Sequence, residues 1–258
     1  MKRYINTVDK IIPVMFFIFI VVAWELAVRL SHIEPFILPA PSAIAKAFFK
    51  ILPIMLKHTK VTVYESFIGF TSSIAIAFVM AFVMDSLPLV KKALYPLVVV
   101  SQTIPTISVA PLFIIWFGYG LLPKIIVVQL VCFFPVLVSL LEGLSSVDPE
   151  LLDLLRSMGA DRWRIFEMVK LPAAMPAFFS GLKIAASYSI LGAVIGEWLG
   201  AREGLGVFML LSQHSFYVDR VFAIIAVISL LSLGVFGAIN VSERLLIPWN
   251  YIKGDEWD

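Results

Sequence analysis

The stretch from Asp148 to Pro176 reads DPELLDLLRSMGADRWRIFEMVKLPAAMP, and it lies between two long apolar runs of the chain. Its charged side chains include Asp153, Arg156, Asp161, Arg162, Arg164, Glu167 and Lys170. An ionised group placed in hydrocarbon costs several kcal/mol, so a segment this charged does not lie among lipid tails. The stretch therefore indicates an aqueous loop of a membrane protein, and the loop is long enough to fold.

The residues of this stretch predict two short helices joined by a tight turn. Pro149 suits a first helical turn, and residues 150–157 are good or tolerable helix formers. Gly159 stands where a chain leaving a helix needs a left-handed residue. Asp161 is expected to cap a second helix that ends at Pro172, because proline disfavours helix in the residue before it.

The second predicted helix has more apolar surface than a solvated loop should show. Trp163, Phe166 and Met168 all lie within it. Exposed apolar patches on soluble segments usually meet a partner. The loop is therefore expected to dock against another protein.

The same residues resemble a known family. Permease subunits of bacterial ABC importers carry a cytoplasmic EAA loop of the form Glu-Ala-Ala, three residues, Gly, nine residues, Ile, one residue, Leu-Pro. Here Asp153-Leu-Leu stands for Glu-Ala-Ala and Val169 for Ile, whereas Gly159, Leu171-Pro172 and both spacings match. We call residues 146–171 the coupling loop.

Three further motifs are similar to the branch of that family that serves nitrate, sulfonates, taurine and thiamine-precursor pyrimidines. They are Phe36-Ile-Leu-Pro-Ala-Pro-Ser42, Trp116-Phe-Gly118 and Ser146-Val-Asp-Pro-Glu150. The resemblance covers nearly the whole chain from about Phe36 onward. It implies the type I importer permease fold, which is all-α with six transmembrane helices, and a homodimer in the bacterial cytoplasmic membrane.

The resemblance also implies partners and roles for the coupling loop. Cytoplasmic ATPase subunits would bind ATP and Mg, and an extracytoplasmic solute-binding protein would deliver solute; this chain itself is expected to hold no cofactor or metal. Asp153 and Arg156 would orient the first coupling helix. The residues expected to couple to the ATPase are Asp153, Arg156, Gly159, Ala160, Asp161, Arg162, Trp163, Phe166, Leu171 and Pro172.

Composition agrees with an integral membrane protein. The chain has 258 residues, of which 60% are hydrophobic, against roughly 45–50% in soluble domains, and its mean hydropathy is +0.97. The formal net charge of +2 indicates no nucleic-acid partner. A single cysteine, Cys132, excludes a disulfide framework and fits a buried thiol.

Six segments are long and apolar enough to cross about 30 Å of hydrocarbon. They are about 11–31, 61–84, 94–117, 123–143, 172–199 and 221–242. The first follows a basic start but is too long for a signal peptide and lacks a cleavage site, so we expect an uncleaved span. The predicted organisation is an N-terminal span with an outer segment (1–60), a five-helix permease core (61–243) and a cytoplasmic tail (244–258).

Charges near the span ends modestly favour cytoplasmic termini. In that orientation the inside holds Lys2, Arg3, Lys10, Lys91, Lys92, Arg156, Arg162, Arg164, Lys170, Arg244 and Lys253, and the outside holds Lys46, Lys50, Lys57, Lys60, Arg202 and Arg220. The resemblance independently requires the coupling loop to be inside.

Between the first two spans, Ser42 is expected to cap a short helix, which Pro53 weakens near its end. Lys46, Lys50 and Lys57 fall near one face of this helix, which suits a helix lying on the outer membrane surface. An ordinary solvated connector is the alternative.

Small residues recur at helical spacing in the second and fifth spans. The sets are Thr62, Ser66, Ser73, Ala77 and Ala81; Gly181, Ala185, Ser189 and Ala193; and Gly192, Gly196 and Gly200. In lipid such residues allow helix backbones to approach closely. These two spans are therefore expected to pack inside the bundle.

Polar residues and prolines interrupt the third span. Gln102, Thr103, Pro105 and Ser108 are predicted to line the translocation pathway, because irregular backbone inside a membrane is tolerated beside a water-filled cavity. A proline kink satisfied by neighbouring helices is the alternative. Ser189, otherwise a packing residue, and Glu197 are the other candidates for the pathway or gate.

Ionisable residues within spans are few. Glu197 fits either a gate or subunit contact, or an interfacial carboxylate that reaches water. Glu25 and Glu65 are interpreted as boundary residues, and Lys183 as a side chain that extends to the cytoplasmic surface.

The sequence lacks the motifs of an ATP-binding or catalytic chain. No Gly-Lys-Ser/Thr phosphate loop is present, and the three histidines show no metal-ligand spacing. A passive channel or a polytopic membrane enzyme remains the competing class, although a channel needs no docking loop and an enzyme needs clustered reactive groups. An exporter permease is disfavoured because the loop pattern belongs to importers.

Overall fold

The computed structural model describes residues 7–31 and 33–252, and the regular elements within them are helices. Parts of both predicted cytoplasmic termini lie outside these residues. The helices are α1 (Thr7–Leu30), α2 (Pro41–Ser86), α3 (Pro88–Ser101), α4 (Thr106–Phe117), α5 (Leu121–Ser145), α6 (Pro149–Ser157), α7 (Arg162–Ile165), a π-helical segment (Phe166–Lys170), α8 (Leu171–Trp198), α9 (Leu205–His214), α10 (Val218–Leu246) and α11 (Trp249–Ile252).

The described helices confirm the all-α membrane architecture. Five are long and apolar enough to cross a membrane, and the number is six if the bent pair α3 and α4 forms one span. The predicted bounds were too short for two of the spans. The α2 helix has 46 residues, and the candidate span that ends at Trp198 begins at Arg162.

The predicted separation of an outer helix from the second span is wrong. A single helix, α2, runs from Pro41 through Pro53 to Ser86, across the expected domain boundary at residue 60. Ser42 does not cap it, because the N-cap position is Ala40. Burial explains why Pro53 is tolerated: Ile51 and Met55, on either side of it, pack in a cluster with residues of α9 and α10.

The predicted third span is not continuous. The axes of α3 and α4 differ by 103°. Hydrogen bonds at the break replace those lost to the helix: Thr103 N donates to Val100 O at 3.0 Å, and Thr103 Oγ1 donates to the same carbonyl at 2.7 Å. Pro105 then occupies the N-cap position of α4. The backbone N–H that proline lacks would have no partner within the helix at this position, so no hydrogen bond is lost. Pro111 lies inside α4 without breaking it.

The fifth predicted span, α8, packs against α5 through the glycine ladder. A Cβ atom on Gly181 would lie 2.5 Å from the Pro135 carbonyl oxygen of α5. A Cβ atom on Gly192 would lie 3.2 Å from the Val128 Cα, and one on Gly196 would lie 3.1 Å from the Lys124 Cα. The backbones therefore touch along the whole contact, which confirms the close packing predicted for this helix.

The small residues of α2 are also buried. Thr62, Ser73, Ala77 and Ala81 are fully inaccessible, and Ser66 is nearly so. A Cβ atom on Gly69, also on α2, would lie 2.5 Å from the Val128 Cβ of α5. Together α2, α5 and α8 supply most of the main apolar core, as the ladders predicted.

The first helix lies at the periphery of the bundle. From Ile11 to Ile20 each large apolar side chain of α1 is exposed, and Val28 near its end is buried. Trp24 contacts Phe222 of α10, with 5.6 Å between ring centroids. Glu25 accepts hydrogen bonds from the Ser42 amide at 2.9 Å and hydroxyl at 2.7 Å. The C-terminal part of α1 therefore attaches this helix to α2 and α10.

We expect Gly181→Ala to lower stability. The added methyl group would meet the Pro135 carbonyl and the Ser139 side chain, which lies 2.7 Å from the new Cβ, and overpacking of this kind costs about 1–3 kcal/mol. Thermal unfolding of the detergent-solubilised protein measures the effect. Gly237→Ala on α10 is the matched control, because nothing lies within 4 Å of its added Cβ. Equal melting temperatures for the two variants would contradict the packing assigned to α8.

Candidate coupling surface and pathway

The coupling loop folds as a helix, a glycine turn and a second helix. Asp148 caps α6 by accepting a hydrogen bond from the Glu150 amide at 2.9 Å, and Pro149 begins the helix. Gly159 has φ +86°, and its amide donates to Arg156 O at 3.0 Å. Asp161 caps α7 by accepting from the Arg164 amide at 2.7 Å. The local features predicted for this loop up to Asp161 are confirmed.

The α6 helix has an apolar side that the described chain leaves largely uncovered. None of its residues is buried. Leu151, Leu154 and Met158, which are spaced three and four positions apart, are exposed to 42%, 56% and 76%. On the polar side, Asp153 pairs with Arg156 at 2.7 Å, and both side chains face solvent. An amphipathic helix of this kind is stabilised when its apolar side meets another surface.

The predicted end of the second coupling helix at Pro172 is wrong. The chain passes from α7 through the π-helical segment into α8 without a break, and Leu171 N donates to Phe166 O, five residues earlier. The wider π turn explains the continuity. Pro172 has no N–H to donate, and its ring would collide with the carbonyl four residues back in a regular α-helix. Leu171 and Pro172 are therefore the first turn of α8.

An aromatic cluster fixes the start of this continuous helix to the end of α2. Phe166 is 8% exposed, and its ring centroid lies 4.9 Å from that of Phe82 on α2. Trp163 stacks on Phe166 at 6.0 Å and remains 58% exposed. Of the two aromatic residues expected to contact a partner, Phe166 is therefore an internal anchor, and Trp163 presents its ring to solvent.

An ion pair reinforces this anchor. Lys170 Nζ lies 2.8 and 2.9 Å from the two carboxylate oxygens of Asp85, the penultimate residue of α2. Both side chains are largely shielded, with 19% and 11% exposure. The aromatic cluster and the ion pair border a cavity of about 410 Å³ that Arg156 and Arg162 also line. The coupling loop is thus attached to both α2 and α8.

The break between α3 and α4 borders an open groove of about 450 Å³. Tyr188, Leu191 and Ile195 of α8 form one wall. The remaining lining residues are Ser101, Gln102, Ile104, Thr106, Ile107, Leu130, Val131, Phe134 and Pro135. No carboxylate, ammonium or guanidinium group is among them. The groove is therefore an uncharged, partly aromatic surface at the point where the span bends.

The predicted pathway residues do not form one site. Gln102 lines the groove, while Thr103, Pro105 and Ser108 are exposed beside it. Ser189 is 1% exposed and donates a hydrogen bond to Ala186 O within its own helix. It faces the packed interior, whereas its neighbour Tyr188 faces the groove. Glu197 lies outside the groove altogether.

Glu197 is fully buried, so the interpretation of a carboxylate that reaches water is wrong. It accepts hydrogen bonds from Thr62 Oγ1 at 2.6 Å and from the Gly206 amide at 2.5 Å. Glu65, interpreted as a boundary residue, is 1% exposed and pairs with Lys124 at 2.5 Å. Burial of these carboxylates is possible because each has a donor from another helix.

Two further ion pairs lie at the edges of the bundle. Glu203 pairs with Lys57 at 2.5 Å, and both side chains are exposed. The hydrogen bond and charge of Lys57 hold the pKa of Glu203 below its usual range. Lys183, expected to extend to the surface, pairs instead with Glu243 of α10.

No cluster of potential metal ligands occurs among residues 7–31 and 33–252. Residues 73–247 match the family model described as the binding-protein-dependent transport system inner membrane component. The chain belongs to that family. It is a multi-pass permease of the inner membrane, a transport subunit of an ABC importer.

Curated relatives of this permease cover nearly its whole length. The formylaminopyrimidine transport permease protein ThiX of Halalkalibacterium halodurans is 36% identical over 96% of this chain and 98% of its own. The riboflavin transport system permease protein RibX of Chloroflexus aurantiacus is 32% identical over 89% of this chain and 87% of its own. The taurine transport system permease protein TauC of Escherichia coli is 28% identical over 88% of this chain and 85% of its own.

Two solved ABC transporters share the fold of this chain. The crystal structure of an amino acid ABC transporter with histidines matches with a TM-score of 0.63, 18% identity, and coverage of 77% of this chain and 96% of that chain. The inward-facing MetNI methionine ABC transporter matches with a TM-score of 0.59 at the same identity, over 76% of this chain and 95% of that one. These similarities confirm the type I importer architecture.

Several residues make important contacts that the sequence did not predict. Asp85 and Phe82 anchor the coupling loop, and His58 contacts the loop before α9. A lone aspartate at the end of an apolar span was the available signal for Asp85. His58 and Thr62 are four positions apart and thus share a helix face, but their partners lie more than 140 positions away.

We expect Asp85→Asn or Lys170→Met alone to destabilise the attachment of the coupling loop. Removal of one member of a shielded ion pair leaves the other charge without its partner, which costs on the order of 3 kcal/mol when the pair is buried. Thermal unfolding in detergent measures the loss. The exchanged pair Asp85→Lys with Lys170→Asp should recover much of it. If the single variants melt like the native protein, the ion pair does not hold the loop.

Proposed function

We propose that two copies of this permease enclose one pathway in the bacterial cytoplasmic membrane, with the coupling loop and both termini on the cytoplasmic side. The loops dock on two ABC ATPase subunits, which bind ATP and Mg. An extracytoplasmic solute-binding protein delivers solute at the opposite face. The uncovered apolar side of α6 is the observation that carries this proposal, since a loop facing only solvent has no use for it.

The attachment of the coupling loop supports ATP-driven motion. Arg162 and Trp163 are exposed on the loop, whereas Phe166 and Lys170 fix it to α2. A displacement of α6 by an ATPase would therefore move α7, α8 and the end of α2 together. Rigid-body rotation of packed helices is an established way to open a pathway alternately to each side. Asp153, Arg156, Ala160 and Asp161 shape the docking surface in this proposal.

The solute is proposed to be a neutral heteroaromatic molecule of the formylaminopyrimidine type. The relative with 36% identity is named for such a solute, and a second is named for riboflavin. The groove beside the α3–α4 break fits this class because it offers Gln102 and Thr106 for hydrogen bonds and Phe134 and Tyr188 for ring contacts. A sulfonate, suggested by more distant relatives, would meet no cation there.

We expect Gly159→Val to uncouple the permease while Gly159→Asn preserves function. Nothing lies within 4 Å of an added Cβ, so the effect depends on the backbone alone. A φ of +86° costs an L-residue about 1–2 kcal/mol, and asparagine tolerates it best. Uptake into proteoliposomes and solute-stimulated ATPase activity should fall roughly tenfold for the valine variant.

Comparison of Gly159→Val with Gly159→Asn distinguishes a loss of coupling from a failure to assemble with the ATPase. Both variants should be recovered from the membrane with the ATPase subunits at native yield. Full solute uptake by Gly159→Val would contradict the role given to the turn. Equal loss in Gly159→Asn would also contradict it, because that residue keeps the left-handed conformation.

Ligand binding by the partner receptor tests the proposed solute. Calorimetric titration should show tight binding of a formylaminopyrimidine and no binding of taurine or alkanesulfonates. Uptake by the reconstituted importer should follow the same order, and Tyr188→Ala should reduce it. Preferential uptake of a sulfonate would refute the proposed solute class and leave the coupling role of α6 intact.

A further inference from the structure

The N-terminus of α9 is held by side chains from two other helices. Three successive backbone amides, those of residues 204 to 206, each donate to a different side chain. Gly204 N donates to His58 Nδ1 at 3.0 Å, Leu205 N to Thr62 Oγ1 at 2.8 Å, and Gly206 N to Glu197 Oε2 at 2.5 Å. These are donors that a helix cannot satisfy internally. We call His58, Thr62 and Glu197 the α9 clamp.

Two of the clamp side chains are also joined to each other, and the third makes a second contact with α9. Thr62 Oγ1 accepts from Leu205 and donates its own proton to Glu197 Oε1 at 2.6 Å. The His58 ring lies parallel to that of Phe208 on α9, with centroids 4.9 Å apart and an interplanar angle of 7°. Thr62 and Glu197 are completely buried. The clamp therefore connects α2, α8 and α9 through hydrogen bonds that are buried at Thr62 and Glu197 and partly buried at His58.

The glycines of the clamp leave room for these bonds. Gly204 has φ +130°, and a Cβ there would collide with the Glu197 carboxylate. A Cβ on Gly206 would lie 2.6 Å from Val194 O and 3.0 Å from Glu197 Oε2. The backbone before α9 can therefore approach the carboxylate only without side chains at these two positions.

The position of the clamp relates it to the coupling loop. The Asp85–Lys170 ion pair joins the C-terminal end of α2 to the residue just before α8, whereas the clamp lies near the middle of α2 and at the C-terminal end of α8. The loop before α9 also exposes a second contact, the Lys57–Glu203 pair. The same two helices thus join the coupling loop at one end of the bundle to α9 at the other.

We propose that the α9 clamp transmits engagement of the solute-binding protein to α2 and α8. This inference rests on the proposed function. The receptor contacts α9 and the loop before it, in which Gly200 and Arg202 are exposed, and the clamp makes that contact move the two helices. Glu197 and Thr62 act as positioning residues, since neither touches solute or nucleotide. Without the clamp, α9 would move with the receptor and leave the helices behind.

Thr62→Val tests the proposal in the assembled importer in lipid nanodiscs. Valine has nearly the shape of threonine but neither accepts from Leu205 nor donates to Glu197. Stimulation of ATPase activity by the solute-loaded receptor should fall roughly tenfold, while the receptor-free ATPase rate stays native. Thr59→Val is the matched control, because Thr59 Oγ1 donates to Met55 O of its own helix and belongs to no clamp. It should keep full stimulation.

A tether provides the rescue. In the Thr62→Val background, Lys57→Cys and Glu203→Cys replace the exposed ion pair and are joined by a short bismaleimide. Cross-linking should restore receptor stimulation, because it reattaches the loop to α2 by another route. If cross-linked protein stays unstimulated, or if Thr62→Val retains stimulation, the proposal is overturned. A parallel fall in the receptor-free rate would also overturn it, as it indicates a purely structural role.

If Thr62→Val does not assemble with the ATPase subunits, a second variant tests the proposal. His58→Phe keeps a ring to stack on Phe208 but removes the acceptor for the Gly204 amide. Partial loss of receptor stimulation, reversed by the same tether, supports the clamp, and full stimulation contradicts it. Absence of receptor stimulation in the native complex would instead refute the proposed function itself.

Discussion

The close backbone contact between α5 and α8 is the constraint on which the rest of the fold depends. Apolar side chains gain little by leaving lipid tails for one another, so membrane helices associate through close packing and polar contacts. Gly181, Gly192 and Gly196 supply that proximity. Once α8 is fixed against α5, its two ends are fixed as well. One end becomes the coupling loop, and the other carries Glu197.

Local features of the coupling loop were predictable because their causes lie within a few residues. Pro149, Gly159 and Asp161 each act on backbone groups next to them, and the structure places each as the sequence indicated. Pro172 was misinterpreted for a related reason. The rule that proline ends a helix assumes α-helical geometry, and the π turn before it removes the assumption. The continuity of α2 through Pro53 likewise depends on packing with distant residues.

The roles of buried polar groups could not be predicted from sequence alone. Thr62 and Glu197 are 135 positions apart, and Lys124 and Glu65 are 59 apart, yet each pair is in hydrogen-bond contact. Without those partners a carboxylate in a span looks like an interfacial group. The groove presents the same difficulty, because Gln102 is near the span break in sequence but Tyr188 reaches it only through the α5–α8 packing.

The length of α2 has a consequence for the height of the molecule. A helix of 46 residues extends ~69 Å, whereas roughly 20 residues suffice to cross the hydrocarbon layer. The half that begins at Pro41 packs with α9 and α10 rather than with the central core. The residues beyond a single crossing must therefore leave the hydrocarbon layer or be accommodated within it by tilt of the helix. Because the same rigid rod also carries Asp85 at its far end, a change in that tilt would displace both ends of the molecule at once.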